Sequence, residues 1–188
     1  MRATIKRENN WHGEILSCRK NGKIHPMSLT ITAVIGAEGQ INNYIGIFSD
    51  ITQQKSAETE IHNLAFYDPL THLLNRRSLN DRLMRAVAAS RRSGRYGAVM
   101  FIDLDNFKPI NDTHGHVAGD LLLIEAARRI THCVRAVDTV ARFGGDEFVV
   151  ILGELGTDEN GSAAQASIVA EKIRVSLAEP YNLTLQKK

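Results

Sequence analysis

Apolar and polar residues alternate with a period of two through the first quarter of the chain. Residues 14–20, Glu-Ile-Leu-Ser-Cys-Arg-Lys, lead through Asn21-Gly22 into residues 23–34, where Met27, Leu29 and Ile31 alternate with polar or small residues. Asn-Gly is a strong hairpin signal, because both residues tolerate the positive φ angles of a two-residue turn. After Gly36-Ala-Glu-Gly39, residues 41–48 alternate again. The pattern predicts β structure over residues 1–50, arranged as a three-stranded antiparallel meander. Between Asp50 and Phe66 the period becomes helical, with Ile51, Ile61, Leu64 and Ala65 apolar among Gln, Lys, Glu and Thr. So thin a stripe over barely two heptads predicts a linker helix or short coiled coil of weak self-association.

A second set of elements follows. A helix is expected over residues 76–93, with Leu79, Leu83, Met84 and Val87 facing the core, its arginines on a solvated face, and Ser93-Gly94 as its stop. Residues 98–108 form an apolar run too short for most helices and ending in acid. Read as a central strand, it places Phe101, Asp103 and Asp105 on one face and Met100, Ile102 and Leu104 on the other. Residues 111–119 read as a polar loop, running into a helix over 116–135 with Leu122, Leu123, Ala126, Ala127, Ile130 and Val134 inward. In residues 140–152 two apolar runs flank Gly144-Gly145, which reads as strand, turn, strand. A loop over 153–162 and a last helix over 163–177, with Ile168, Val169, Ile173 and Leu177 inward, end at Glu179-Pro180. This order predicts an α+β layer fold, with helices over a mostly antiparallel sheet.

Composition narrows the reading. The 188 residues are 43% hydrophobic, enough for one large or two small packed domains. A net charge of +2, with both signs interspersed, gives no reason to expect a nucleic-acid partner. Cys18 and Cys133 match no metal-ligand spacing and imply neither a disulfide framework nor a zinc site, which fits a reducing cytoplasm. No apolar run approaches a membrane span, and no signal-peptide pattern opens the chain.

The candidate chemistry lies at two acidic strand ends. Asp146 and Glu147 follow the glycine pair, where an ordinary strand would carry Val or Thr. Unpaired acids are costly to bury, so a cation is their natural partner; an exposed hairpin tip with two wet carboxylates is the alternative reading. Asp103 ends the earlier strand and is expected to converge with Asp146. Such hard oxygen ligands suit Mg²⁺ or Mn²⁺, held through one or two carboxylates, waters and substrate phosphates. His116 and Asp120 stand four apart on one helix face, where the dipole favours an acid in the first turn whatever its task.

Residues 144–148 spell GGDEF. With Phe101-Ile-Asp-Leu-Asp-Asn-Phe-Lys108, Asn111-Asp-Thr-His-Gly-His116 and Gly119-Asp120 in the same register, the chain resembles diguanylate cyclase domains from about residue 68 to 188. Asp68-Pro-Leu-Thr-His-Leu-Leu-Asn-Arg-Arg77 is similar to the family's opening motif DPLTGLPNR, but His72 and Leu74 replace its Gly and Pro, which is expected to stiffen or shift the turn. Trp11-His-Gly-Glu14, Arg19-Lys-Asn-Gly-Lys23 and residues 44–52 resemble the C-terminal half of a PAS sensor domain. Trp11 is read as a sheet-packing aromatic and His12 as a surface imidazole.

The resemblance implies a division into 1–52, the C-terminal part of a PAS domain, 53–66, a linker helix, and 67–188, a ferredoxin-like nucleotide-cyclase palm domain. It also implies that the palm domain lacks its C-terminal part: a further strand, the SIGIA-like segment and a helix with triphosphate-gripping Lys and Arg. The chain alone is therefore expected to have little or no cyclase activity.

The implied reaction condenses two GTP to cyclic di-GMP and two pyrophosphates across a homodimer, in a bacterial cytoplasm. The resemblance assigns Asp103, Asp146 and the Leu104 carbonyl to the metals, Asp146 to the base role with Glu147 beside it, and Lys108 to phosphate charge. Gly144, Gly145, Asn111, His116 and Asp120 fall at the substrate, the carboxylate of Asp120 matching guanine's adjacent donors and Asn111 its acceptors. Arg135 and Asp138 resemble the family's RxxD inhibitory site for cyclic di-GMP; a helix-closing cation and a turn residue are the plainer reading. A non-catalytic receptor for GTP or cyclic di-GMP, or a fragment of a larger reading frame, are the alternatives.

Overall fold

The computed structural model describes residues 2–37 and 39–183; Met1, Glu38 of the expected 36–39 turn, and residues 184–188 of the expected palm domain lie outside them. The chain divides into two compact units, Met1–Ile61 and His62–Lys188.

In the first unit, strands β1 (Asn10–Cys18), β2 (Ile24–Ile35) and β3 (Ile41–Asp50) form an antiparallel sheet in the order β1-β2-β3. Gly22, at φ 81°, serves the expected turn. Trp11 pairs with Ile31, and Ile15 with Met27, on one face. Trp11 crosses its own strand over Gly13, where a Cβ would stand 2.6 Å from the indole. His12 is exposed and bonds Thr30 Oγ1 at 2.9 Å. The expectation of β structure from residue 1 is corrected by α1 (Arg2–Glu8), which lies against β1 and β2 and buries Ile5. A helix of only two turns leaves too short a stretch for its periodicity to show. Helix α2 (Thr52–Phe66) starts where the Thr52 amide donates to Asp50 Oδ1 at 2.9 Å, and it has no buried residue; Ile61 and Leu64 of its thin stripe are exposed.

In the second unit α3 (Arg76–Ser93), β4 (Ala98–Asp103), α4 (Phe107–His114), α5 (His116–Cys133), β5 (Thr139–Gly144), β6 (Glu147–Leu152) and α6 (Glu159–Ala178) build a mixed layer fold. Its sheet is antiparallel with the order β4-β6-β5. The central strand is therefore β6, and among the described residues β4 is an edge, contrary to the sequence expectation. The run Phe148-Val-Val-Ile-Leu152 is apolar on both faces because both are covered. Phe148, Val150 and Leu152 pack with Leu123, Ile130 and Ile173 of α5 and α6, while Val149 and Ile151 pack with Leu79 of α3. Strand β4 keeps the predicted alternation: Met100 and Ile102 turn inward, whereas Phe101 is 74% exposed.

Helix α3 has the expected bounds. The Asn75 side chain caps it by accepting from Ser78 N at 3.0 Å, and Gly94 closes it in the left-handed region. Its inward residues are Ser78, Leu79, Leu83 and Ala86; Met84 and Val87 are exposed, one step off that stripe. The expected 111–119 loop is mostly helix. Phe107 and Ile110 face the core, and Pro109 sits in the first turn, where its missing N–H costs nothing. Gly115, at φ 82°, separates α4 from α5. Helix α6 begins four residues early because Asp158 caps it, accepting from Gly161 N at 2.6 Å. Its inward stripe is Ala166, Val169, Ile173 and Leu177, so Ile168 is exposed rather than buried. Arg129 of α5 donates to the carbonyls of Ser176, Glu179 and Pro180 at 2.7–2.8 Å, supplying partners to the end of α6.

Candidate active site

The site is built on the β5–β6 hairpin. Arg142 pairs with Phe148, but the register then shifts, and Gly144 pairs with Glu147. Phe143 is thus the extra residue of a bulge, and the turn is Gly145-Asp146, one position later than the glycine pair suggests. Gly145 alone of the pair has a positive φ, 52°. A Cβ at Gly144 or Gly145 would meet nothing within 4 Å, so the turn is open above both.

The offset separates the two acids: Asp146 lies in the turn, and Glu147 is the first residue of β6. Glu147 pairs directly with Asp103 at the end of β4. Like charges opposite one another across a strand pair are destabilising. Among the described residues neither acid, nor Asp146, has an ion-pair or hydrogen-bond partner. The Leu104 carbonyl accepts from Phe107 N at 3.3 Å and keeps a second lone pair. Among the described residues no three His, Cys, Asp or Glu side chains converge on one point. An all-oxygen set of facing carboxylates and one carbonyl nevertheless fits a hard cation that keeps waters and takes phosphate oxygens. A groove of about 610 Å³ is lined by Asp103, Leu104 and Asp105, not by Asp146 or Glu147, and reaches Ile173 and Arg174 of α6.

Helices α4 and α5 meet at a second feature. A Cβ on Gly119 would lie 1.9 Å from Asn111 Oδ1, so the missing side chain lets Asn111 rest on α5 immediately before Asp120. Asn111 Oδ1 is buried against the Gly119 backbone and has no hydrogen-bond partner among the described residues. Asp120, His116 and Lys108 are exposed. Arg135 and Asp138 lie between α5 and β5. The Asp138 side chain is 1% exposed; its Oδ2 accepts from Arg135 N at 2.9 Å and Arg135 Nε at 3.4 Å, and its Oδ1 accepts from Gly153 N at 3.3 Å. That carboxylate braces a turn, while the Arg135 guanidinium faces solvent.

The sequence reading left Arg142 without a role and treated Asp68 only as part of a motif. Arg142 Nε and Nη2 donate to the Gly145 carbonyl at 2.9 and 2.7 Å, and Nη1 donates to Asp68 at 3.0 and 3.2 Å. Burial pushes the Asp68 carboxyl up, but bonds from Thr71 and Arg142 outweigh it and hold the group below its ordinary value. A charged residue inside the apolar strand before Gly144 was the available signal.

Residues 65–188 match the family model described as diguanylate cyclase, GGDEF domain. The chain belongs to the GGDEF family. Residues 1–53 match a PAS domain model. The chain is 46% identical over 133 residues to the bifunctional diguanylate cyclase/cyclic di-GMP phosphodiesterase MucR of Pseudomonas aeruginosa, covering 71% of this chain and 18% of that protein. It therefore spans under a fifth of that relative's length. The solved GGDEF domain of TpbB from P. aeruginosa is 43% identical with a TM-score of 0.59, over 63% of this chain and 66% of that one. The coiled coil and GGDEF domain of DgcB from Caulobacter crescentus, solved in complex with c-di-GMP, is 30% identical with a TM-score of 0.56, over 66% and 62% of the two chains. The α+β fold of the second unit is thus that of GGDEF domains. No helix among the described residues is long and apolar enough to cross a membrane.

Proposed function

We propose that this GGDEF chain serves a diguanylate cyclase reaction, condensing two GTP to cyclic di-GMP and two pyrophosphates, in the bacterial cytoplasm. The observation that carries the reading is the Asp103–Glu147 strand pair: two facing carboxylates beside Asp146, with no cationic side chain on any of them among the described residues. Asp103, Asp146 and the Leu104 carbonyl would hold Mg²⁺ or Mn²⁺, which supplies charge neutralisation at the attacking and leaving oxygens. Asn111 and Asp120 address the guanine edge, His116 borders the nucleotide, and Lys108 faces phosphate. The bare Gly144 and Gly145 leave room for the ribose and phosphates.

Asp146 accepts the proton of a GTP 3′-hydroxyl. That oxygen forms a bond to the α-phosphorus of the second GTP, and the bond from this phosphorus to the bridging oxygen breaks, releasing pyrophosphate. A second such step closes the ring. One chain holds one GTP, so a homodimer is required, with residues 1–52 as the PAS part, 53–66 as the linker and 67–188 as the nucleotide domain. Arg135, with Asp138 fixing its backbone, is the proposed point of product inhibition by cyclic di-GMP.

Calorimetry on the purified chain tests both ligands. Asp103→Asn is expected to weaken Mg²⁺-dependent GTP binding about 10-fold to 100-fold, with thermal stability slightly raised as the repulsion from Glu147 is relieved. Arg135→Ala is expected to remove cyclic di-GMP binding alone. GTP binding unaffected by Asp103→Asn would refute the metal site, and cyclic di-GMP binding unaffected by Arg135→Ala would refute the second site.

A further inference from the structure

Basic residues are divided unevenly along the chain. Residues 76–95 carry seven arginines, no lysine and one acid, Asp81, a net +6 on a chain of net +2, so that the rest of the chain is net −4. In that rest, arginine and lysine are equal, at eight each. Six of the seven arginines lie on α3, and Arg95 follows its Gly94 stop. Two have local tasks: the Arg76 guanidinium lies over the Phe143 ring at 4.4 Å, and Arg95 Nη2 donates to Leu155 O at 3.1 Å. Arg77, Arg82, Arg85, Arg91 and Arg92 are exposed, and among the described residues none of their guanidiniums has an ion-pair or hydrogen-bond partner.

Helix geometry gathers most of these onto one side. Ser78, Leu79, Leu83 and Ala86 face inward, and at about 100° per residue Arg77, Arg85, Arg91 and Arg92 fall opposite them, within an arc of about 120°. From Arg77 to Arg92 the row is about 22 Å long. Met84 stands in the same arc at 58% exposure, and Val87 borders it at 44%. Neither apolar side chain is used by the core.

The choice of base separates the kinds of partner. An anionic lipid surface or a nucleic-acid backbone attracts charge as such, and lysine serves there as well as arginine. Only arginine offers a planar fork that holds a carboxylate through two parallel bonds. Arginine and methionine are also enriched in protein interfaces, from which lysine is depleted. Asp81 lies inside the arc, where a uniformly anionic surface would be repelled, and the arc holds no aromatic ring on which a nucleobase could stack. The face thus matches discrete carboxylates around an apolar contact.

We propose that the outward face of α3 is a docking surface for an acidic helical segment of another protein, whose carboxylates are held by Arg77, Arg85, Arg91 and Arg92 and whose apolar side chain rests on Met84 and Val87. The surface shares no residue with the proposed metal, nucleotide or product sites.

The test uses the purified 188-residue chain and, as probe, a designed amphipathic helical peptide of about 20 residues with glutamates flanking a row of leucines; its glutamine counterpart is the control. Fluorescence anisotropy is expected to give a dissociation constant on the order of 10 μM for the glutamate peptide and no binding of the control. Arg85→Gln with Arg92→Gln should weaken binding about tenfold, and Arg85→Lys with Arg92→Lys about threefold although the charge is kept. Met84→Ser should weaken it about threefold. These side chains are exposed, so the circular dichroism spectrum should not change. Failure of the glutamate peptide to bind, or full binding by the glutamine pair of variants, overturns the proposal. Equal binding by the lysine pair reduces the face to bulk charge and overturns it as well. Tighter binding to phosphatidylserine–phosphatidylcholine vesicles or to duplex DNA than to the peptide would assign the face to lipid or nucleic acid instead. A change of GTP or cyclic di-GMP affinity in the same variants would return it to the nucleotide chemistry, against the proposal.

Discussion

Each unit of the chain has a three-stranded antiparallel sheet, and the two sheets differ in what covers them. Among the described residues of the first, α1 is the helix laid on the strands, and β3 leaves Tyr44, Ile45, Ile47 and Phe48 in solvent, Phe48 at 63%. In the second, α3 covers one face while α5 and α6 cover the other, and Phe148 is fully buried. Both sheets show apolar strands in the sequence, so apolar character alone does not reveal burial. The covered sheet offers a rigid floor, and at its strand ends stand Asp103, Asp146 and Glu147, which have no partner among the described residues.

The widest test of this contrast is a pair of truncations. Phe148→Ala removes a ring from a filled core and is expected to cost about 3–5 kcal/mol. Phe48→Ala removes an exposed ring and should change stability by no more than about 0.5 kcal/mol. Urea denaturation followed by circular dichroism measures both, and similar costs would break the comparison.

The fold was legible wherever periodicity and capping act locally. The meander, α3 with its Gly94 stop, and the alternation of β4 follow from spacings of two and of three to four residues. What escaped depends on partners distant in sequence. The bulge at Phe143 moved the turn by one residue, and register is a property of two strands rather than of one. Helix α4 contributes only Phe107 and Ile110 to the core, too few points to betray a helix among Asn, Asp, Thr and His. Within the candidate site, Asp103, Asp146 and Glu147 stood out as acids at the ends of apolar strands, whereas Asn111, inside α4, came only with the family resemblance. The Asp68–Arg142 pair was not visible, because nothing in either segment signals a partner 74 residues away.

A smaller effect tests whether space, as well as burial, distinguishes the covered sheet. Gly119→Ala places a carbon 1.9 Å from Asn111 Oδ1, the end of a side chain able to swing aside. Stability should stay within about 1 kcal/mol, since Ala also favours the helix. Preference for GTP over ATP should fall about tenfold in competitive binding, as a base reader leaves its place. Full retention of that preference would remove Asn111 from the site.

The smallest effect is electrostatic. On α5, hydrogen bonds from Arg128 and then Arg129 hold the Glu125 carboxyl down to about 2. A depressed carboxyl stabilises the fold fully above its unfolded value near 4.5, and that contribution is lost as pH falls toward 2. For a pair at the surface it amounts to about 0.5 kcal/mol. Thermal unfolding of wild type and Glu125→Gln should therefore differ at pH 6 and converge at about pH 2. A gap independent of pH would assign the effect to packing instead.

The one-residue offset of the signature turn gives its two neighbouring acids different clocks. Glu147 is tied into the ladder between β4 and β5 and moves only when the whole sheet moves. Asp146 sits on a peptide outside the ladder, free to reorient on the nanosecond scale of turn motions whenever its arginine brace loosens. Adjacent residues of like charge are thereby expected to play unlike parts, one a fixed electrostatic landmark and the other a group able to follow a reacting hydroxyl through its transfer.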